Sequence, residues 1–259
     1  MTSWPPAELA GRSALVTAAV GPLGRVLAVG LAEAGLHVSV TTLTGAREEE
    51  FQANSILNEC WSLGRRGGAH ALDLADPGAV ESMLDAVEAE AGPLSVLVNG
   101  AFAVPTVAAV DADVPDWERA LRLGATAAYV PTLAAGRRML ARGQGRIVSV
   151  VSVLHDRGAP GGSLIGAASG AVAALTRSLG VEWARSGVTV NALAAGLIEG
   201  LPGPHADAQA RAAIERYIPS RRIGRPEDLV GALIYLVSDA AAYVNAEVLA
   251  VDGGLAVHA

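Results

Sequence analysis

The feature that most constrains this chain is a regular alternation of short apolar runs with longer stretches of helical spacing. The apolar runs are typical of buried strands and lie at 13–17, 37–42, 69–74, 94–99, 146–152, 188–193 and 247–254. The stretches between them are typical of helices and lie at 22–34, 46–63, 77–90, 116–141, 163–184 and 226–237. Strands that alternate with helices of this length form βαβ units and a parallel sheet that is covered on both faces. We therefore predict an α/β fold with one doubly wound sheet, in which residues 1–259 form a single domain.

One segment departs from this alternation. Residues 199–220 contain several prolines and glycines and follow the strand predicted at 188–193. In doubly wound folds, ligands bind beyond the carboxyl ends of the strands. We therefore expect this irregular excursion to lie at a substrate site.

Net charge and cysteine content indicate which partners and which cellular compartment to expect. The formal net charge of −7 argues against a surface that binds nucleic acid or anionic lipid. The single cysteine, Cys60, permits no internal disulfide, and the first residues lack the pattern of a signal peptide, so we expect a cytoplasmic protein. The uncharged stretches 91–110 and 158–176 contain Gly, Pro, Asn or Ser, which favours buried elements over membrane spans. No metal-binding motif is present.

All 19 basic residues are arginine, and the chain contains no lysine. An arginine side chain stays protonated, whereas the ε-ammonium of lysine can lose its proton when its pKa is lowered. The chain therefore cannot perform chemistry that depends on a lysine amine of its own.

Several strings, in the right order, give the chain a resemblance to a known family. They are DLAD (73–76), LVNGA (97–101), VTVNALAAG (188–196), GRPEDL (224–229), YLVSD (235–239) and VLAVDGG (248–254). Together with the predicted layout, they resemble the short-chain dehydrogenase/reductase family over nearly the whole chain. The resemblance implies a Rossmann-like sheet, NAD or NADP as the hydride carrier, and assembly as a dimer or tetramer.

The resemblance also implies four catalytic positions, which are a serine, a tyrosine, a lysine and an asparagine. Ser152 falls at the serine position. Ile165 stands where the tyrosine is expected, Ser169 where the lysine is expected, and Gly124 where the asparagine is expected. Three of the four catalytic groups are therefore absent at the matched positions.

The dinucleotide site implied by the resemblance is also altered. The family turn Thr-Gly-x-x-x-Gly-x-Gly is replaced by TAAVGPLG at 17–24, where Ala18 adds a Cβ and Pro22 removes an N–H donor. Phe102 replaces a glycine beside the cofactor, and Arg47 is the nearest candidate ligand for a 2′-phosphate. The candidate cofactor-binding residues are Thr17, Gly21, Gly24, Thr42, Asp73 and Asn99. We expect weak dinucleotide binding, if any.

The leading hypothesis is a catalytically silent relative that serves as a structural or regulatory subunit. It would assemble with itself, or with a second, catalytically intact member of the family, through the segments 116–141, 163–184, 226–237 and 247–252. Small residues on the helix at 163–184 permit close helix approach. This hypothesis follows from the loss of the catalytic groups.

Two alternatives remain open. In the first, Ser152 and His155 perform non-redox chemistry in the vacated pocket, because histidine can exchange protons near neutral pH. In the second, NAD(P)-dependent hydride transfer persists with Tyr129 or Tyr217 as a relocated acid. Arg157 is not at the spacing that the family uses for its cation.

Overall fold

A computed structural model describes residues 6–100 and 106–257. Its centre is a seven-stranded parallel sheet in the order β3-β2-β1-β4-β5-β6-β7. The strands are β1 Ser13–Thr17, β2 His37–Thr41, β3 Ala69–His70, β4 Leu94–Asn99, β5 Gly145–Ser152, β6 Val188–Ala195 and β7 Val248–Val251. The order reverses between β1 and β4, so the predicted doubly wound sheet is confirmed.

Helices cover both faces of the sheet. Those of eight residues or more are α1 Gly21–Glu33, α2 Arg47–Ser62, α3 Pro77–Ala91, α4 Val114–Leu121, α5 Ala127–Arg142, α6 Ser163–Trp183, α7 Ala208–Tyr217 and α8 Val230–Val237. The core therefore forms two main layers, one on each side of the sheet. Val16 packs in the layer that contains α1, α2 and α8, whereas its neighbour Leu15 packs in the layer that contains α3, α5 and the end of α6.

The third strand is shorter than predicted. It pairs with β2 only at Ala69 and His70, whereas the apolar pattern predicts a strand over 69–74. At Leu72 both backbone groups bond to the hydroxyl of Thr42 instead of continuing the ladder. A side chain therefore ends the pairing, and periodicity gives no sign of this.

The helix predicted at 116–141 is interrupted. A π-helical turn at Arg122–Thr126 separates α4 from α5, and Gly124 is buried within it. Isolated π-turns occur frequently at functional sites. The irregular backbone therefore lies at the position where the resemblance places the family asparagine.

One helix is apolar enough to cross a membrane by length and composition. It spans Ser163–Ser186, and half of its most apolar window is buried inside the protein. Val172, Leu179 and Trp183 of this helix pack into the core clusters against the sheet. It is therefore a core helix of the fold, as expected from its interrupted composition.

Candidate active site

A cavity of about 540 Å³ lies beyond the carboxyl ends of β5 and β6. Its floor includes Ser152 and Gly196, and its walls come from the turn after β5, the start of α6 and the segment that contains α7. We call it the main cavity. The excursion at 199–220 therefore covers a ligand-sized space, although it includes a ten-residue helix, α7, which begins where Asp207 caps the N–H of Gln209.

Ser152 lines the main cavity and is 5% exposed. Its hydroxyl oxygen accepts a hydrogen bond from the N–H of Leu154 at 3.2 Å, which leaves the hydroxyl proton available to a ligand. Its own N–H donates to the hydroxyl of Ser169 at 3.1 Å. Ser169 therefore stabilises the end of β5 from the position at which the family lysine is expected.

Ile165 also lines the main cavity, at the position where the family tyrosine is expected. It packs with Ala120, Leu164 and Ala168 and is 6% exposed. An aliphatic side chain at this position can contact a substrate but cannot exchange a proton with it. Gly124, in the π-turn, contributes no side chain at all.

A tyrosine and an arginine meet at another wall of the same cavity. Tyr217, the last residue of α7, and Arg157, on the turn after β5, both line the main cavity. Arg157 Nη2 donates to Tyr217 Oη at 3.3 Å, and the guanidinium carbon lies 5.9 Å from the centre of the tyrosine ring. The fold thus brings a cation to a phenol 60 residues away, which spacing along the chain did not reveal.

Among the described residues, the hydrogen-bond partners of Arg157 are neutral. Besides Tyr217, its guanidinium donates to the carbonyl oxygen of Leu255. No carboxylate of residues 6–100 or 106–257 forms an ion pair with it. Its positive charge therefore faces the cavity without a counter-ion from the described chain.

The other two side chains considered for chemistry lie apart from the main cavity. His155 is half-buried and does not line it. Burial lowers the pKa of His155 below 6.5, Arg177 acts in the same direction, and Asp156 partly opposes them. Tyr129 lies in a separate groove between α5 and α6. The geometry thus gives less support to Ser152 and His155 as a pair than to Tyr217 and Arg157.

Sequence reasoning did not identify His205. This residue lies in the excursion, is 4% exposed and lines the main cavity. Its Nε2 lies 2.8 Å from the carbonyl oxygen of Ile198, so this nitrogen carries the proton and donates. The histidine therefore fastens the excursion to the segment after β6, a role that only its tertiary contacts reveal.

The turn after β1 keeps a tight shape without the first family glycine. Ala18 adopts a left-handed φ of 49°, a conformation that a Cβ disfavours. A Cβ on Gly24 would lie 2.6 Å from the Cα of Ala19, so α1 approaches the turn at a distance that only glycine allows. The Gly21 N–H is taken by Gln52 Oε1 at 2.8 Å.

The N-terminus of α1 remains suited to a phosphate. Val20 precedes the helix in an extended conformation and cannot cap it with a side chain, so after Gly21 has bonded to Gln52 and Pro22 has contributed no N–H, the N–H groups of Leu23 and Gly24 remain in the first turn. Uncapped N–H groups and the helix dipole attract anions. Gly200, in the excursion, packs against the ring of Pro22 at the same place. The residues present therefore fit a dinucleotide, with fewer free donors than the family turn offers.

Thr42 has no hydrogen-bonding capacity left for a cofactor. Its hydroxyl donates to the carbonyl oxygen of Leu72 and accepts from the N–H groups of Leu72 and Gly45, at 3.0 to 3.1 Å. A threonine hydroxyl has one donor and two acceptor positions, and all three are used.

An acidic side chain from α2 lies at the end of β2. The carboxylate of Glu49, in the first turn of α2, accepts the N–H groups of Leu43 and Thr44 at 2.9 and 2.8 Å. Arg47 is exposed at the start of the same helix. A carboxylate therefore occupies the strand end at which doubly wound folds hold the adenosine ribose.

The remaining candidate cofactor residues are held by protein partners. Asn99 Nδ2 donates to Thr132 at 2.8 Å and to Ser149 at 3.0 Å, and its Oδ1 accepts from Thr17 at 3.4 Å. These bonds link β1, β4, β5 and α5 across the sheet. Asp73 forms an ion pair with Arg122 and accepts the Ala75 N–H. Phe102 lies outside the described residues.

Comparisons with known proteins show the family. A family model described as enoyl-(acyl carrier protein) reductase matches residues 18–256. The chain is 33% identical to a 2-dehydro-3-deoxy-D-gluconate 5-dehydrogenase of Pseudoalteromonas atlantica, with 95% of this chain and 96% of the relative covered. It is 36% identical to a cis-4-hydroxycyclohexanecarboxylate dehydrogenase of Sinomonas cyclohexanicum, with 95% and 96% covered.

A solved structure gives the same result. A gluconate 5-dehydrogenase of Burkholderia cenocepacia in complex with NADP and tartrate superposes with a TM-score of 0.88 at 31% identity, with 96% of this chain and 97% of that chain covered. Matches of this extent include the sheet, the phosphate turn and the segment over the main cavity. The chain belongs to the short-chain dehydrogenase/reductase family.

Proposed function

We propose that the protein is an NAD(P)-dependent oxidoreductase that interconverts a hydroxyl and a carbonyl group, with Tyr217 as the proton-exchanging acid. The observation that carries the proposal is the Tyr217–Arg157 pair, because it lines the same cavity as Ser152. The dehydrogenase relatives support a redox reaction. This is the alternative of relocated groups, and it accounts for the missing lysine because arginine supplies the cation.

Each side chain has a separate task in this reaction. The free hydroxyl proton of Ser152 polarises the substrate oxygen, while the N–H of Leu154 holds the serine oxygen in place. Arg157 donates to the phenol oxygen of Tyr217, so the phenol proton points to another acceptor, and negative charge that develops on the oxygen is stabilised. When bound, a nicotinamide dinucleotide supplies a hydride to the carbonyl carbon, and Tyr217 supplies the proton to the oxygen.

We further infer that NAD is preferred to NADP. The N–H groups of Leu23 and Gly24 that remain in the first turn of α1 would hold the pyrophosphate. The Glu49 carboxylate at the end of β2 can accept a bond from a ribose hydroxyl, whereas it repels a 2′-phosphate. The NADP in the gluconate 5-dehydrogenase complex belongs to a different chain and does not decide the preference of this one.

The decisive experiment compares tyrosine variants. We expect Tyr217→Phe to lower kcat by about 100-fold or more, since general acid catalysis contributes on that scale. Tyr129→Phe is the matched control, because Tyr129 lies in the groove between α5 and α6, and it should retain wild-type kcat. Turnover would be measured as NADH oxidation with a panel of ketones. Equal kcat for Tyr217→Phe and wild type would overturn the assignment of the acid.

A second candidate is the silent subunit. The observation that favours it is the packing of Ile165 and Ser169, which fill the family proton site with an aliphatic group and a structural hydrogen bond. In this case the protein would assemble as a dimer or tetramer, or with an intact family member. The purified chain would then show no turnover of any carbonyl, while co-purification with an intact member would restore it.

A further inference from the structure

The main cavity is almost wholly apolar. Its described lining is dominated by aliphatic and proline side chains, including Val153, Leu154, Ile165, Leu201, Ile214 and Leu255. No acidic or amide side chain is among the lining residues in the parts of the chain that the structure describes. Such a surface stabilises a hydrocarbon body by removing it from water.

Few polar side chains line this cavity in the described parts of the chain, and they are Thr106, Ser152, Arg157, His205 and Tyr217. His205 uses its Nε2 on the carbonyl oxygen of Ile198. In the proposed reaction, the hydroxyl groups of Ser152 and Tyr217 bond to the reacting oxygen of the substrate. That leaves His205 Nδ1 and the Thr106 hydroxyl for the other hydroxyls of a polyhydroxy substrate. Each hydroxyl beyond these would lose its water without gaining a side-chain partner, at a cost of about 1–3 kcal/mol. The cavity therefore disfavours sugar acids.

Arg157 is the one arginine among the described residues that line the cavity. Its guanidinium has five N–H donors, and its two identified acceptors, Leu255 and Tyr217, are both neutral. An anion attracts a cation more strongly beside apolar walls than in water, because water screens the pair less there. A carboxylate matches the planar guanidinium and its remaining donors.

We propose that the substrate is a hydroxy- or oxo-carboxylic acid with a compact branched or alicyclic hydrocarbon body, and that Arg157 binds its carboxylate. Since Arg157 contacts Tyr217 directly, the reacting oxygen and the carboxylate meet neighbouring protein groups, so they are close together in the substrate. A 2- or 3-hydroxy acid has this arrangement. The proposal rests on the proposed function in taking the main cavity as the substrate site.

The test measures binding to the full chain by calorimetry, without turnover. The probes are 2-hydroxy-4-methylpentanoate, its neutral amide, and gluconate, each in the presence and absence of NADH. We expect the branched acid to bind at least tenfold tighter than either the amide or gluconate. Tighter binding of gluconate, or equal binding of acid and amide, would overturn the proposal without reference to any variant.

Variants then locate the carboxylate. Arg157→Gln should bring the affinity for the acid down to that for the amide, and the affinity for the amide should change little. Arg177→Gln is the matched control, since Arg177 is exposed and does not line the cavity. An unchanged preference for the acid in Arg157→Gln would contradict the role of Arg157. Arg157-dependent binding of the acid with no oxidation of it would overturn the oxidoreductase proposal and leave the ligand class standing.

Discussion

Two glycines in helices, Gly24 and Gly231, show how differently single residues constrain this fold. A Cβ on Gly24 meets the backbone of Ala19, whereas a Cβ on Gly231, in α8, meets no atom within 4 Å. The main chain of a tight turn cannot move aside as the end of a flexible side chain can. Gly24 is therefore needed for the docking of α1, independently of any cofactor.

We expect Gly24→Ala to lower the free energy of unfolding by about 1–3 kcal/mol, as overpacking does. Gly231→Ala should leave stability unchanged or raise it by about 0.5–1 kcal/mol, because alanine favours a helix. Urea denaturation of both variants checks this. Equal stabilities for the two variants would contradict the close contact at Ala19.

The proposed preference for NAD over NADP also depends on one residue, Glu49. Glu49→Gln keeps an oxygen that can accept the N–H groups of Leu43 and Thr44, so it removes the charge and preserves the loop. We expect wild type to bind NADH more tightly than NADPH, and Glu49→Gln to reduce this ratio about tenfold, because a nearby like charge is removed. Calorimetric titration gives both affinities. Glu48→Gln, an exposed neighbour, is the control, and an unchanged ratio in Glu49→Gln would exclude Glu49 as the determinant.

At the scale of elements, hydrophobic period predicts the strands and helices well and their interruptions poorly. The strand at 94–99 agrees with the prediction at both ends, because its mostly apolar run is buried in the sheet. The end of β3 and the π-turn depend on Thr42 and on backbone geometry, which carry no periodic signal. The pairing of Tyr217 with Arg157 depends on where α7 packs. The sequence therefore predicts Ser152 at the site but does not predict Tyr217, the proposed acid, beside it.

Helices α3 and α5 are joined by a cluster of charges. Arg138 bonds to Glu81, Asp85 and Glu88, and Arg142 also bonds to Glu88. Burial alone would raise the pKa of Glu88, but the N–H of Leu94 and the two arginines outweigh it and hold the pKa below 4.5. Because the folded state lowers this pKa, Glu88 stabilises the fold above pH 4.5, and the contribution is lost as the pH falls through the folded value.

We expect Glu88→Gln to lower the free energy of unfolding by about 1–2 kcal/mol at pH 7, where charge-assisted bonds are lost. The difference from wild type should shrink as the pH falls below 4.5 and through the lowered pKa of Glu88, because wild-type Glu88 then becomes protonated as well. Denaturation at several pH values measures this, with Glu118→Gln, an exposed residue of α4, as the control. A difference that persists at low pH would assign the effect to packing.

At the scale of the whole molecule, two of the four segments through which self-association is predicted, 116–141 and 163–184, border the groove between α5 and α6. Tyr129 is 46% exposed there, beside Ala125, Ala171 and Leu175. Small side chains permit two such helix pairs to approach closely. This groove is separate from the excursion at 199–220, which covers the main cavity. Assembly and ligand binding can therefore be tested separately.

We expect the wild-type chain to sediment as a dimer or tetramer, and Ala171→Arg to shift it toward monomer, because a buried charge would be unpaired. Ala89→Arg, an exposed alanine on α3, serves as the control and should keep the wild-type assembly. Sedimentation velocity separates these species. Monomeric wild type, or an Ala171→Arg variant that assembles normally, would contradict the interface.

The position of Tyr217 has a kinetic consequence. In the family pattern the acid lies on α6, which packs against the sheet, whereas the proposed acid, Tyr217, is the last residue of α7, on the segment that lines the main cavity. An enzyme built this way loses its acid whenever the enclosure opens to exchange ligands. Proton transfer would then require the closed segment, and product release would require the open one. We therefore expect added viscogen to lower kcat and the pre-steady-state burst to be small.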